Sequence, residues 1–368
     1  MNVACHSDNV ALGRRDFLGV GLAAAAAMAC SRVQAAGLNA EVDFLKIRVL
    51  VDNATFGPFL PDLDLPGLKV YRRSAESSAP RMPSRALNGE FGLSLLATSR
   101  RDGDTVTLLI DFGYSAETVR NNLALLGIDA GAIDAAVLSH GHLDHYGGFQ
   151  GFFGDTSARK IPLYVGGEEA FCERLAMIGN PPPLMGTLDR AALLRAGFET
   201  RIVPAPFAIK GQAFTTGTIP LRCFERAAIP TQMRPGKGCS IAQLDSAKRG
   251  VAQIADDGAH EIATFYVIKN LGLVVIASCS HRGVINSVRQ AQAISGVEKV
   301  HAVVGGFHLV RPRTYGNARR TAAELAQINP RYIVPMHCTG DVFIEEAMRT
   351  MPGKIIKTYV GNELVFAA

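Results

Sequence analysis

The chain has 368 residues and 48% of them are hydrophobic, enough to bury a sizeable core as two domains or as one large two-layer domain. Its net charge of +5 comes from 38 basic and 33 acidic residues spread without a basic run, which argues against nucleic acid as a partner. Trp is absent and aromatic residues make up only 7%, which argues against a platform that stacks sugars or bases.

The first stretch reads as a targeting segment. Arg14-Arg15-Asp16-Phe17-Leu18 resembles the twin-arginine export motif, and the apolar run Gly19 to Ala29 is followed by Arg32 and the small-residue pattern Val33-Gln34-Ala35-Ala36. The run is short for a bilayer span. Residues 1–36 are expected to be a signal peptide cleaved after Ala35 or Ala36, and 37–368 an exported domain in the periplasm. Ala27-Met28-Ala29-Cys30 resembles a lipoprotein site and makes Cys30 a candidate lipid anchor. The twin-arginine export machinery, the first expected partner, carries folded proteins, so a metal can be loaded before export. Replacing Arg14 and Arg15 by Lys is expected to keep the protein inside. N-terminal sequencing of periplasmic material that still begins at Met1 would contradict this.

Of seven cysteines, Cys5 and Cys30 leave with the signal, and the remaining five form no disulfide framework. Cys172, Cys223 and Cys239 read as core or loop thiols, whereas Cys279 and Cys338 lie beside candidate site histidines.

Beyond the signal, Phe44–Val51 alternates as a strand and ends at Asp52-Asn53. A Pro- and Arg-rich passage from Pro58 to Pro83 reads as a surface excursion. Glu90–Leu96 and Thr105–Ile110 read as paired strands joined across Arg101-Asp102-Gly103-Asp104. Ser115 caps a helix that stops at Gly127, and Ile133–Leu138 is an apolar strand.

That strand runs into Ser139-His140-Gly141-His142-Leu143-Asp144-His145-Tyr146-Gly147-Gly148, which holds three of the nine histidines. His140 and His142 are two apart, so in extended backbone both imidazoles point to one side and can share one ion. Asp144 and His145 follow across a turn, placed for a second ion or for the first ion's water. Neutral imidazole and carboxylate suit zinc, iron or manganese.

Further on, Ile161–Val165 reads as a strand, Glu168 to Met177 and Leu188 to Ala196 as helices, and Arg234–Gly238 as part of a long loop. Gly272–Ala277 and Tyr332–Val334 are strands, each followed by a histidine, His281 or His337, and then a helix. Two strand-end histidines beside such a loop point to ligation. Between them, paired glycines in Val303-Val304-Gly305-Gly306-Phe307-His308 permit close backbone approach, and His308 is assigned to substrate. His260 and His301 read as structural.

The histidine loop resembles the signature of the metallo-β-lactamase superfamily, which implies an α/β fold: an αββα sandwich of two mixed sheets flanked by helices. Asp111 resembles the buried aspartate that braces the loop in that superfamily. The order of Asp52-Asn53, EFGLS, SHGHLDHYGG, TTGTIP, SCSHRGVIN, GGFHL and PMHCTG is similar to one branch. That branch includes 7,8-dihydropterin-6-yl-methyl-4-(β-D-ribofuranosyl)aminobenzene 5′-phosphate synthases and related metal-dependent hydrolases.

The resemblance implies a centre of one or two divalent ions, zinc first and iron or manganese as alternatives. Its ligands would be His140, His142, Asp144, His145, His281 and His337, with Asp144 also catalytic. Thr218 stands where the branch usually has an acidic residue, and Cys279 or Ser280 stands near the expected bridging aspartate. His308, Arg282 and Asn53 are assigned to a small-molecule substrate. Arg282 and the helix starting near Gly283 suit an anionic one; Arg311 and Arg313 either add to this or are solvated surface charge.

Three functions fit: an exported hydrolase of an ester, lactone or phosphoester, a transferase of the synthase type, or a non-catalytic metal or ligand-binding protein.

Overall fold

The computed structural model describes residues 38–56, 60–72 and 84–368, so the expected signal peptide lies outside the described residues. Two large mixed sheets pack face to face. The nine-stranded sheet runs, edge to edge, through Phe198–Ile202, Ile161–Val165, Ala135–Leu138, Asp104–Ile110, Ser94–Arg101, Phe44–Val51, Glu363–Ala367, Leu68–Tyr71 and Leu63–Leu65. The seven-stranded sheet runs through Phe207–Ile209, Ala213–Thr215, Thr264–Ile268, Gly272–Ala277, Val300–Gly305 and Tyr332–Pro335, with Glu41–Val42 paired to Thr264–Ile268.

Alternation along the strands makes the layers. In Phe44–Val51, Leu45, Ile47 and Val49 face the seven-stranded sheet and share one buried cluster with Tyr266, Val274, Val304 and Val334. Helix Ala116–Leu125 covers the outer face of the nine-stranded sheet through Val119 and Leu123. Helices Val284–Ser295, Tyr315–Ile328 and Asp341–Thr350 cover the outer face of the other sheet through Val288, Leu325 and Phe343. The result is the expected αββα sandwich. Among the described residues no helix is long and apolar enough to cross a membrane.

Local chemistry sets several boundaries as read from sequence. Phe44–Val51 and Ile161–Val165 are strands over those residues. Ser115 caps its helix by accepting from Thr118 N at 3.3 Å. The turn at Arg101–Asp104 joins antiparallel strands.

Four expectations are corrected. Glu168 to Met177 is not a helix: Glu168–Phe171 is a short 3-10 turn and Glu173–Ala176 a strand. Tertiary contacts override helical propensity there, because Arg174 is drawn into the interior by Asp256, with Nε to Oδ2 at 2.7 Å. That strand belongs to a third sheet of four strands, whose member Thr231–Arg234 takes up the start of the supposed long loop. Within the Pro58 to Pro83 excursion, Leu63–Leu65 and Leu68–Tyr71 form a hairpin on the edge of the large sheet.

The fourth correction is a disulfide between Cys172 and Cys239, 67 residues apart, where free thiols were expected; Cys223, Cys279 and Cys338 are free. Loop closure over that span contributes about 4 kcal/mol in the chain-entropy model. Cys172→Ser should therefore lower the denaturation midpoint under non-reducing conditions, and an unchanged midpoint would contradict it.

Candidate metal centre

Four loops meet at one end of the sandwich. The nine-stranded sheet delivers His140 to His145 after Ala135–Leu138. Three parallel neighbours in the other sheet, Gly272–Ala277, Val300–Gly305 and Tyr332–Pro335, deliver His281, His308 and His337. Asp111, Ser280, His308 and His337 all have positive φ, from 41° to 60°. Non-glycine residues held in the left-handed region cluster at functional sites. A Cβ on Gly141 would lie 2.1 Å from Ala170 O, so only glycine lets the loop seat there.

The hydrogen bonds around the rings fix their tautomers. Ser139 Oγ donates to Asp111 Oδ2 at 2.7 Å, so it accepts from His140 Nδ1 at 2.9 Å. His145 Nδ1 donates to Asp111 Oδ2 at 2.8 Å. His281 Nδ1 donates to Ala228 O at 3.1 Å and His337 Nδ1 to Asn53 Oδ1 at 3.3 Å. His142 is reversed: its Nε2 donates to Thr231 Oγ1 at 3.2 Å, whose hydroxyl donates on to Asp256. His140, His142, His145 and His281 are thereby each left with one nitrogen lone pair directed inward, and His337 turns its Nε2 inward beside them.

Those lone pairs converge. His140 Nε2 is 3.1 Å from His142 Nδ1, and the nearest donor atoms of these two and His281 lie within 4.8 Å of one another. His281 Nε2 is buried without a protein partner. His145 Nε2 is 3.3 Å from His337 Nε2, and Asp144 Oδ2 is 3.1 Å from His337 Nε2 and 3.6 Å from His145 Nε2. Two ligands on one tetrahedral zinc are about 3.3 Å apart for bonds of 2.0–2.1 Å. Facing acceptors at that spacing fit a cation between them. Among the donor groups are His140, His142 and His281 on one side and Asp144, His145 and His337 on the other; Cys279 joins three more, one of them with His281 and His308.

Burial, then the neighbouring His145, holds His140 well below the ordinary imidazole range. Burial and then Arg174 bring His142 to about 3, and burial and then His308 push His281 down. All three stay neutral, the form that ligates. His337 goes the other way: against its burial, Cys338 and Asp144 raise it to about 9. A proton stands there where a cation would. Burial raises the Cys279 thiol, while Cys338, against its own burial, is held low by the hydrogen bond with Cys279 and by His337.

Other expected roles change. Arg282 donates from Nε to Ile219 O at 2.5 Å and from Nη1 to Asp257 O at 2.9 Å, so its guanidinium is taken up by the chain's own carbonyls. The helix after Gly283 offers no open anion site, because Glu225 Oε2 accepts from Ile285 N at 2.8 Å. Arg313 is buried and donates to Phe307, Arg226 and His281 carbonyls, being neither surface charge nor an anion ligand. Asn53 grips His337 through its ring and its carbonyl rather than facing a substrate. Ser280 donates to Gly306 O at 2.9 Å and serves the loop, not the centre. Cys279 lies inside it, with Sγ 3.3 Å from His145 Nε2.

His260 supports the centre where a plain structural residue was expected: its Nε2 accepts from Gly141 N and lies 3.1 Å from Arg174 Nη2. Glu261 accepts from His281 N and Arg282 N, and Asp52 from His337 N. His301, in contrast, bonds to Gly67 O far from the centre.

An αββα sandwich with these histidine loops at one end defines a metal-dependent enzyme class. Residues 89–183 match the model of the metallo-beta-lactamase superfamily. The chain is 28% identical over 304 residues to a Methanocaldococcus jannaschii 7,8-dihydropterin-6-methyl-4-(beta-D-ribofuranosyl)-aminobenzene-5'-phosphate synthase, covering 79% of this chain and 96% of that one. It is also 28% identical over 234 residues to uncharacterized protein MJ0448 of the same organism, covering 63% of this chain and 79% of that one. The solved structure of Tm1679, a metal-dependent hydrolase of the beta-lactamase superfamily, superposes with a TM-score of 0.63 at 22% identity, over 87% of this chain and 98% of that one. Residues 89–183 thus carry the metallo-β-lactamase domain, within a fold like that of the solved hydrolase.

Proposed function

We propose that the chain is an exported metal-dependent hydrolase that cleaves an ester or lactone carrying an apolar group. The observation that supports this most is the convergence of ring nitrogens and one carboxylate in two adjacent triads. A divalent ion held there supplies a Lewis acid for a substrate oxygen and lowers the pKa of water to about 7.

The chain's residues supply the rest. Asp144, kept ionised against its burial by His145 and His337, accepts a hydrogen bond from the attacking water and orients it. His308 has both ring nitrogens buried without protein partners and faces the substrate. A cleft of about 1020 Å³ opens where Leu309 and Val310 follow His308, and Met177, Ile178 and Tyr315 make it apolar. Arg282 and the start of the helix Val284–Ser295 are engaged by backbone carbonyls and by Glu225, and Arg311 lines the cleft as a cation. The apolar lining favours a carboxylic ester or lactone over a phosphoester. The disulfide supports an oxidising destination.

Metal-loaded protein should turn over esters or lactones with kcat/KM rising with acyl length, and turnover of phosphodiesters alone would contradict the reading. His308→Ala should keep its metal and lose turnover by roughly 100-fold, within the usual range for one proton-handling side chain. A variant that instead loses an ion would make His308 a ligand.

The second reading is a transferase, supported by the likeness to the synthase along 96% of that relative's length. Turnover of a dihydropterin with an aminobenzene phosphate would favour it. Stoichiometric metal without any turnover would favour a binding protein.

A further inference from the structure

We propose that Phe91 is a substrate-binding residue whose open ring receives an aromatic alcohol group, so that the substrate is an open ester of an aromatic alcohol with an apolar acid. The proposal rests on the hydrolase reading above and narrows it. Phe91 is 60% exposed, and its ring stands 4.8 Å from the His337 ring at a tilt of 48°. The His337 side chain beneath it is fully buried. Phe91 thus covers a donor of the second triad and leaves most of its own surface open beside the centre.

The backbone fixes that exposure. Glu90 N donates to Asp52 O at 3.1 Å, and Glu90 Oε1 accepts from Tyr114 N at 3.1 Å and Ser115 N at 2.9 Å. On the other side, Leu93 N donates to Asp144 O at 3.3 Å. A Cβ on Gly92 would lie 2.7 Å from that same oxygen, so only glycine lets this loop seat against the metal loop. Phe91 cannot withdraw into a core without breaking these contacts. A ring held out on rigid backbone is preorganised, so a ligand that packs on it loses little to ordering the protein.

The centre therefore has two apolar walls. The His308 ring packs on His281, centroids 4.3 Å apart, and leads to the cleft of Val310, Met177, Ile178 and Tyr315. Phe91 packs on His337 of the other triad and takes no part in lining that cleft. An ester carbonyl at the centre sends its acyl branch to the cleft and its alcohol branch to Phe91. Hydrolysis adds water across the acyl C–O bond: the hydroxyl goes to the acyl carbon and the proton to the alcohol oxygen. The alcohol then departs from the Phe91 side. A phenyl ring favours an offset or edge-on aromatic partner, with centroids about 4.5–7 Å apart, over a saturated ring of similar size.

Benzyl and cyclohexylmethyl esters of one fatty acid test this, because they match in size and differ in aromaticity. Metal-loaded parent protein should favour the benzyl ester. Phe91→Leu should cut that preference roughly 5-fold, chiefly through KM, and Phe91→Tyr should keep it. The corresponding unreactive ketones, titrated calorimetrically, should show the same contrast in Kd without any turnover. Metal content of Phe91→Leu should equal the parent's, since leucine still covers His337. No preference in the parent, a preference that survives Phe91→Leu, or a Phe91→Leu variant that only loses metal would each overturn the proposal while leaving the hydrolase reading standing. A Phe91-dependent ketone preference in protein that cleaves neither ester would uphold the Phe91 subsite and overturn the hydrolase reading.

Discussion

The double variant His140→Ala/His142→Ala is expected to retain at most one ion per chain and to lose most of the stability that metal confers. Both side chains are buried, and their inward nitrogens are 3.1 Å apart. A ligand present at 1,000 times its dissociation constant stabilises the folded state by about 4 kcal/mol, so losing it should lower the unfolding free energy by that order. The loss should appear only in metal. Chelator-treated parent and variant should unfold at similar temperatures, because the variant also removes two facing acceptors that repel each other without a cation. Elemental analysis and thermal unfolding, each with and without chelator, read both effects. Full stoichiometric metal in the double variant would mean that the loop has been misread.

Asp111→Ala should be destabilising even without metal. Asp111 is fully buried and accepts from Ser139 N at 2.7 Å, Ser139 Oγ at 2.7 Å and His145 Nδ1 at 2.8 Å. Truncation strands those donors, at about 1–3 kcal/mol each. The total is comparable to much of a typical domain's stability of about 5–15 kcal/mol. Asp111→Asn is the sharper variant. Its amide NH2 can face His145 Nδ1 and turn the ring's proton to Nε2, the atom the triad needs. Loss of an orienting partner of this kind weakens metal binding by about 10–100-fold. Isothermal titration on Asp111→Asn should show that loss with a smaller change in stability, and unchanged affinity would remove Asp111 from the account.

Much of this was legible in sequence because it is local. Period-two alternation marks Phe44–Val51, and the spacing of His140 and His142 puts two lone pairs 3.1 Å apart. Strand-end position brings His281 and His337 to the same end of the sandwich. What failed depends on partners far along the chain. Nothing near His260 announces that it receives Gly141 N, 119 residues away. Glu225 fills the helix start at Ile285 from 60 residues before it, which overturned the anion site. Cys172 and Cys239 meet across 67 residues, and Arg174 pulls an expected helix into a strand by pairing with Asp256. Asn53, assigned to substrate, instead bonds to His337, 284 residues later.

The central claim is that two donor triads hold metal. Anomalous diffraction at the metal edge, on crystals of the loaded protein, tests it most directly. One peak is expected among His140, His142 and His281 and a second among Asp144, His145 and His337, with His308 outside both. A single peak coordinated by His308, with His337 turned away, would contradict it.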